Sequence, residues 1–273
     1  MANSGVNGVV KDVLETSGDS ISVAITGASS GIGRALALEF AKNHKSITLH
    51  IAGRNEARLQ ESKEQILLCN PTAKVLLQCF DVSSEKAVKQ WCENIFQSRV
   101  DIVIMNAGVA MGEEQSAAKH SEICKINALG VAFGSFYALE SMSRQEVISG
   151  KRGQIVLISS IAALLALPNA PSYSASKIFV KTLGESLSVG QSEVCVTTIC
   201  PGFIRTPLTQ FIHPLVPQMS VESAVKKMYK VIIKGRRFYA FPWWLAFGAR
   251  FYNVLPFWFK RAFVRMFHTM GSL

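Results

Sequence analysis

The regular return of short apolar, β-branched runs most limits the folds open to this chain: Ile21–Thr26, Ile47–Ala52, Val75–Phe80, Ile102–Met105, Ile155–Ser159 and Val194–Cys200. Each has the length of one strand, and runs this continuous suit strands covered on both faces. Between them lie longer stretches with helical periodicity, among them Ile32–Ala41, Glu56–Leu68 and Ala87–Phe96. Strand alternating with helix over 273 residues predicts one α/β domain, a parallel sheet with helices on both faces and right-handed crossovers. Ligands of such sheets bind beyond the carboxyl ends of the strands, so that is where chemistry is sought.

The first run leads straight into Thr26-Gly27-Ala28-Ser29-Ser30-Gly31-Ile32-Gly33-Arg34, followed by the helical stretch ALALEFAK. Glycine is needed where a chain turns tightly and where backbone approaches a pyrophosphate, whose charge is met by amide N–H groups at a helix start. Placed between a first strand and an amphipathic helix, the segment predicts a dinucleotide turn. A phosphate loop of the nucleotide-hydrolase kind is excluded, because Arg34 and Ala35 stand where Lys and Ser or Thr are required.

TGASSGIG resembles the cofactor signature of the short-chain dehydrogenase/reductase family. The resemblance continues in order through Asp81-Val82, Asn106-Ala107-Gly108, Asn127, Ser160, Tyr173-Ser174-Ala175-Ser176-Lys177 and Pro201-Gly202, covering residues 26–206. It implies a single-domain, doubly wound Rossmann-type fold and hydride transfer between a nicotinamide and an alcohol/ketone pair. It also implies cofactor contacts from Gly27, Ser29, Ser30, Gly31, Ile32 and Gly33, with Asp81 and Val82 flanking the adenine and Asn106, Ala107 and Gly108 along the ribose. It further implies cofactor contacts from Pro201, Gly202 and Ile204, and from Thr206 either to the nicotinamide carboxamide or to the cofactor phosphates. In the family pattern Ser160 binds the substrate oxygen, Tyr173 is the general acid/base, Lys177 lowers the tyrosine pKa and binds ribose, and Asn127 holds a water relay. A homodimer or homotetramer through the helices of Asn127 and Tyr173 is likewise implied.

The residues support these roles on their own chemistry. Tyr173 and Lys177 are four apart, on one face of a helix. Ser160 lies thirteen residues before Tyr173 at the end of a strand, and that offset selects it over Ser159. A phenol with an ordinary pKa near 10 is a poor base at neutral pH, whereas a neighbouring ammonium favours phenolate; lowering it by roughly 3 units corresponds to about 4 kcal/mol. Strand two ends Ile51-Ala52-Gly53-Arg54-Asn55, with no acid until Glu56. A guanidinium there suits a 2′-phosphate, so NADP (as NADPH) is expected ahead of NAD. Arg34 either adds positive field at the same place or is an exposed helix residue.

Two segments form the expected substrate walls, Ile161–Pro171 and Phe203–Met219. Both are apolar and lack acids, which suits a hydrophobic lipid-, sterol- or fatty-acyl-like carbonyl or alcohol. Arg205 and His213 are expected at the surface.

Charge is distributed unevenly. Residues 1–222 carry 19 acids and 19 bases, while residues 223–273 carry ten bases and no acid, so the net +10 belongs to the C-terminal fifth. Of the 25 aromatic residues, 13 fall between Phe238 and Phe267. Residues 236–268 therefore suit an in-plane, peripheral membrane contact; a pocket lid or an oligomer interface is the rival, and nucleic acid is not expected. The expected organisation is an N-terminal extension over 1–19, with an amphipathic stretch at Val9–Leu14, a catalytic domain over 20–235, and an aromatic-basic segment over 236–273 that includes a last strand at Phe241. Six cysteines without a CxxC pair, and histidines without ligand spacing, predict reduced thiols and no metal site. The polar N-terminus lacks the apolar core of a secretory signal, so a cytoplasmic enzyme is expected. A non-catalytic NAD(P)-binding redox sensor or scaffold at a membrane surface is the alternative; Ser160, Tyr173 and Lys177 together argue against it, since a sensor needs no proton relay.

Overall fold

A computed structural model describes residues 20–112, 114–167, 169–209 and 216–261; the Val9–Leu14 stretch and His213 lie outside them. Seven strands form one parallel sheet: β1 Ser20–Thr26, β2 Ser46–Gly53, β3 Lys74–Cys79, β4 Ile102–Met105, β5 Gly153–Ile158, β6 Val194–Pro201 and β7 Phe238–Phe241. Their order is β3-β2-β1-β4-β5-β6-β7. The chain winds outward from β1 in one direction and then restarts at β4 in the other. The carboxyl ends of β1 and β4 consequently meet at the reversal, where a doubly wound sheet opens a crevice.

The helices are α1 Gly31–Asn43, α2 Glu56–Cys69, α3 Glu85–Ile95, α4 Ala117–Cys124, α5 Gly130–Ser143, α6 Pro171–Gly190, α7 Val221–Ile233 and α8 Trp243–Val254. Alternation along each strand divides the core into two layers. Val23, Ile25, Ile102 and Ile104 point to the side of α1, α2 and α7, against Leu36, Phe40, Ile66 and Met228. Ala24, Val103, Met105, Ile155 and Leu157 point to the side of α3, α5 and α6, against Trp91, Val131, Ala138 and Val180. β5 and β6 are buried along their whole length, as expected of strands covered on both faces.

The C-terminal segment begins inside this sheet. Phe238–Phe241 continue the ladder on β6, from Thr198 opposite Phe238 to Pro201 opposite Phe241. The last strand expected around Phe241 is therefore present. α8 follows after Pro242 and lays Leu245, Ala246 and Ala249 against Ile161 and Leu164 in the loop after β5. Asn253 Nδ2 fixes that contact by donating to the Leu164 carbonyl at 2.5 Å. Among the described residues no helix is long and apolar enough to cross a membrane.

Phe241 is 3% exposed within the larger core layer, so Phe241→Ala should destabilise the protein by about 3–5 kcal/mol in urea unfolding followed by far-UV circular dichroism. A loss of under about 1 kcal/mol would mean that β7 lies outside the cooperative unit.

Candidate active site

The glycine turn is built by close backbone approach. Gly27 and Gly31 have φ of +69° and +54°, in the left-handed region that side chains disfavour. A Cβ on Gly33 would stand 2.2 Å from the Gly27 carbonyl oxygen, and one on Gly27 would stand 2.8 Å from Ala107 Cα. Asn106 Nδ2 donates to the carbonyls of Thr26 (3.0 Å) and Gly27 (3.2 Å), while Thr26 Oγ1 accepts from the backbone N–H groups of Asn106 and Ala107. The exits of β1 and β4 are thereby bonded into one wall.

Ser30 precedes α1 in extended backbone, and its side chain makes no cap hydrogen bond. The first-turn N–H groups of Gly31, Ile32 and Gly33 lie beyond the reach of intrahelical bonding, which is the donor set an anion needs. This donor set, on backbone left bare by Gly31 and Gly33, fits a dinucleotide pyrophosphate. Thr206 reaches the turn from across the crevice, 3.7 Å from where a Cβ on Gly31 would be.

Several residues expected at the cofactor also have partners within the protein. Arg34 is committed within the protein: Nη2 donates to the carbonyls of Ser29 (2.6 Å) and Arg58 (3.1 Å) and pairs with Glu61, and Nε donates to Ser62 Oγ. It clamps the turn to α2. Gly202 serves packing, since a Cβ there would stand 2.9 Å from Pro242 Cδ, and its N–H donates to the Phe241 carbonyl. Ile204 is buried in the core and bridges to Met219. Asp81 Oδ1 accepts from Ser83 N–H in the turn after β3. Val82 is buried, and its carbonyl oxygen lies 2.8 Å from where a Cβ on Gly130 would be.

Arg54, at the end of β2, is half exposed, with Nη1 3.8 Å from the Asp81 carboxylate and 3.6 Å from that of Glu122. Glu122 on α4 was not expected from sequence; helix spacing alone does not say which loop α4 faces. Its carboxyl is held below the usual range, first by the Lys119 hydrogen bond and also by Arg54.

The second half of the site hangs on α6, which opens with Pro171 in its first turn. Tyr173 and Lys177 stand on one face, with Lys177 Nζ 5.8 Å from the centre of the Tyr173 ring. Lys177 is 5% exposed, and Nζ donates to the Ile158 carbonyl at 3.1 Å. Ser160 caps the 3-10 turn Ile161–Ala163, accepting from Ala162 N–H at 3.1 Å, and lies beside the Tyr173 phenol, whose ionised form it favours. Ser159 is turned the other way and donates to the Lys177 carbonyl at 2.7 Å. The geometry thus separates the two serines: Ser159 fastens α6 to the sheet, and Ser160 faces the phenol.

Burial sets both pKa values. It pulls Lys177 down to about 8 and pushes Tyr173 above the ordinary phenol value, the latter opposed by the Ser160 hydrogen bond. The expectation of a phenol acidified by Lys177 is not met among the chain's own groups. The ammonium lies over the ring and is held by a carbonyl, so desolvation outweighs it.

Asn127 is fully buried in a π-turn, Lys125–Leu129, that joins α4 to α5. Such turns widen a helix locally and recur at functional sites. Its Oδ1 accepts from Val109 N–H at 2.8 Å; its Nδ2 donates to the Val109 carbonyl at 2.9 Å and to Ser176 Oγ at 3.3 Å. It therefore ties the segment after β4 to α6. Gly108 sits between, where a Cβ would come 3.2 Å from Asn127 Oδ1 and 3.5 Å from Lys177 Nζ. A nucleotide cradle and a Ser–Tyr–Lys face thus open on one crevice.

The short chain dehydrogenase family model matches residues 22–215. This chain belongs to the short-chain dehydrogenase family. A curated relative, an uncharacterized oxidoreductase of Myxococcus xanthus, is 32% identical over 240 residues, 85% of this chain and 91% of the relative. The 11-beta-hydroxysteroid dehydrogenase A of Sesamum indicum is 30% identical over 246 residues, 81% of this chain and 68% of that protein. Among solved structures, a short-chain dehydrogenase from Sphingobium yanoikuyae in complex with NADPH superposes with a TM-score of 0.72 at 22% identity, covering 93% of this chain and 96% of that one. The chain is accordingly an oxidoreductase acting between hydroxyl and keto groups, with a nicotinamide cofactor.

The low Lys177 pKa has a stability consequence. Between pH 8 and 10.5 the unfolded chain holds a proton at Lys177 that the native chain has released, so stability rises with pH there and the burial penalty is complete below pH 8. Relative to Lys177→Met, the wild type should gain up to about 1.4 kcal/mol per pH unit across this window in urea titrations. Parallel curves for the two proteins would refute the shifted lysine.

Proposed function

We propose that this chain is an NADP-preferring reductase of apolar ketones, and the reverse dehydrogenase of the matching alcohols, with Tyr173 as general acid/base. The observation that carries the reading is that Ser160 stands beside the Tyr173 phenol, where it favours the ionised form, while Lys177 lies over the ring. Gly27, Gly31, Ile32, Gly33 and Thr206 would hold the cofactor's phosphates, with Asn106 and Gly108 beside the ribose. When bound, the nicotinamide supplies or accepts the hydride.

The protein's own residues handle the oxygen and its proton. A carbonyl oxygen placed between Ser160 Oγ and Tyr173 Oη receives two hydroxyl donors as negative charge develops. Burial keeps the phenol protonated at neutral pH, so Tyr173 is armed as the acid for reduction and gives its Oη proton to the nascent alkoxide. Lys177 shifts the balance afterwards, because an ammonium over the ring stabilises the phenolate that remains. Asn127 and Ser176 keep α6 in register with the segment after β4, which holds Tyr173 and Lys177 on the crevice.

Arg54 supports the NADP preference. A guanidinium binds a phosphate dianion more strongly than the two carboxylates it faces at 3.6 and 3.8 Å, with both of which it shares solvent. The walls of the substrate side are apolar, with Ile161, Ala162, Ala163 and Leu164 buried directly after Ser160, and they favour a sterol- or lipid-like ring or chain. Exposed Leu129 and Phe136 on one helical stretch, and Ile178 and Phe179 on α6, support assembly into a homodimer or tetramer. The enzyme's place, on this reading, is the aqueous side of a membrane surface.

Ketones graded by chain length and ring number, assayed by NADPH oxidation, test the activity, which should increase with apolar size. Tyr173→Phe should reduce turnover by at least about a hundredfold while NADPH still binds; retained turnover defeats the assignment. Arg54→Ala should weaken NADPH by about tenfold or more and leave NADH nearly unchanged, as titrated by nucleotide fluorescence. Equal losses would remove Arg54 from the phosphate site.

A further inference from the structure

α8 carries two opposite apolar faces, and only one is used by the fold. The inner face, of Leu245, Ala246 and Ala249, packs on the loop after Ser160. On the outer face Trp243, Phe247, Phe251 and Val254 recur at i, i+4, i+8 and i+11, all exposed, with Trp243 at 77%. A helical turn beginning at Phe257 extends the row with Phe257, 79% exposed, and Trp258. A contiguous apolar patch of this kind on a soluble surface marks a docking site.

We propose that this outer face docks onto an anionic lipid bilayer. The proposal names the surface and the lipid class for the membrane element of the function above, and in that respect rests on it. Charge decides the occupant. No acid follows Glu222, while Arg250, Lys260 and Arg261 flank the aromatic row. Arg250 is held 5.6 Å over the Phe238 ring, and Lys260 is anchored by donation to the Asn253 carbonyl at 2.7 Å. A second copy of the chain on this face would set these cations against their equals across a two-fold axis. An anionic headgroup layer meets them with opposite charge, and the indole and phenyl rings settle at headgroup depth.

The docked orientation follows from Asn253 and the inner face. The loop that starts at Ser160 then lies one helix thickness, about 10 Å, behind the lipid plane.

Purified full-length protein is mixed with phosphatidylcholine vesicles, with and without phosphatidylserine, and floated on sucrose. Flotation with the anionic vesicles, declining as salt rises, is expected. Brominated acyl chains should quench the fluorescence of Trp243, Trp244 and Trp258 and spare Trp91, which is buried in the core. Phe247→Ser with Trp258→Ser should lower the partition coefficient by at least about tenfold, and Arg250→Gln or Lys260→Gln by about fivefold each. These side chains stand outside the Ser–Tyr–Lys face, so NADPH oxidation on a water-soluble ketone should be unchanged. Absence of flotation, flotation indifferent to these substitutions, or a fall from dimer to monomer in the serine variant without loss of lipid binding overturns the proposal. A wild type that oxidises NADPH but does not float fails the docking surface alone; one that floats but oxidises no NADPH fails the enzymatic reading alone.

Discussion

The exits of β1 and β4 touch through their backbones, and nothing wider than a hydrogen atom fits at the points of contact. Gly33 against the Gly27 carbonyl, and Gly27 against Ala107, fix how the chain leaves the sheet at the reversal of strand order. Asn106 converts that contact into hydrogen bonds, so this wall of the crevice is held rigidly. The direction of α1 follows from it, and with that direction the row of free first-turn N–H groups. The Arg34 clamp onto Ser29, Arg58, Glu61 and Ser62 holds the far side of the same turn.

Across the crevice, the chemistry depends on desolvation more than on charge pairing. Burial lowers the lysine and raises the tyrosine, so the protein by itself favours the neutral form of both groups. A site in that condition is responsive: a single added positive charge finds little solvent to screen it and shifts the proton balance strongly. Ser160 already favours the ionised phenol, which is why its separation from Ser159 matters. Of two adjacent hydroxyls, one is consumed in holding α6 to the sheet and the other is left beside the phenol.

Much of this was legible in the sequence because period and spacing are local properties. All six apolar runs became strands within a residue or two of their expected ends, and the thirteen-residue offset picked the serine that faces Tyr173. A last strand was read at Phe241, and it runs over Phe238–Phe241. Less legible was everything decided by packing between distant elements. Arg34 reads as a cation near phosphate until Ser62 and Glu61 of α2 arrive beside it. Gly202 reads as a turn glycine until Pro242 presses on it. Glu122 carries no signal at all, because only the tertiary approach of α4 to the ends of β2 and β3 puts it opposite Arg54. The phenol is a related case: sequence shows the neighbouring ammonium, but only the fold shows that in the chain alone burial pushes Tyr173 the other way.

The position of β7 in the chain has a consequence for biogenesis. β6 is buried along all eight of its residues, yet the strand that covers its outer edge is the last of the seven to leave the ribosome. Until Phe238–Phe241 emerge, a nascent polypeptide with six strands already made presents an apolar, unpaired edge, the kind of surface that recruits other edges. Closure of the sheet therefore waits for its last strand, and the exposed edge of β6 is the aggregation-prone feature until that strand pairs.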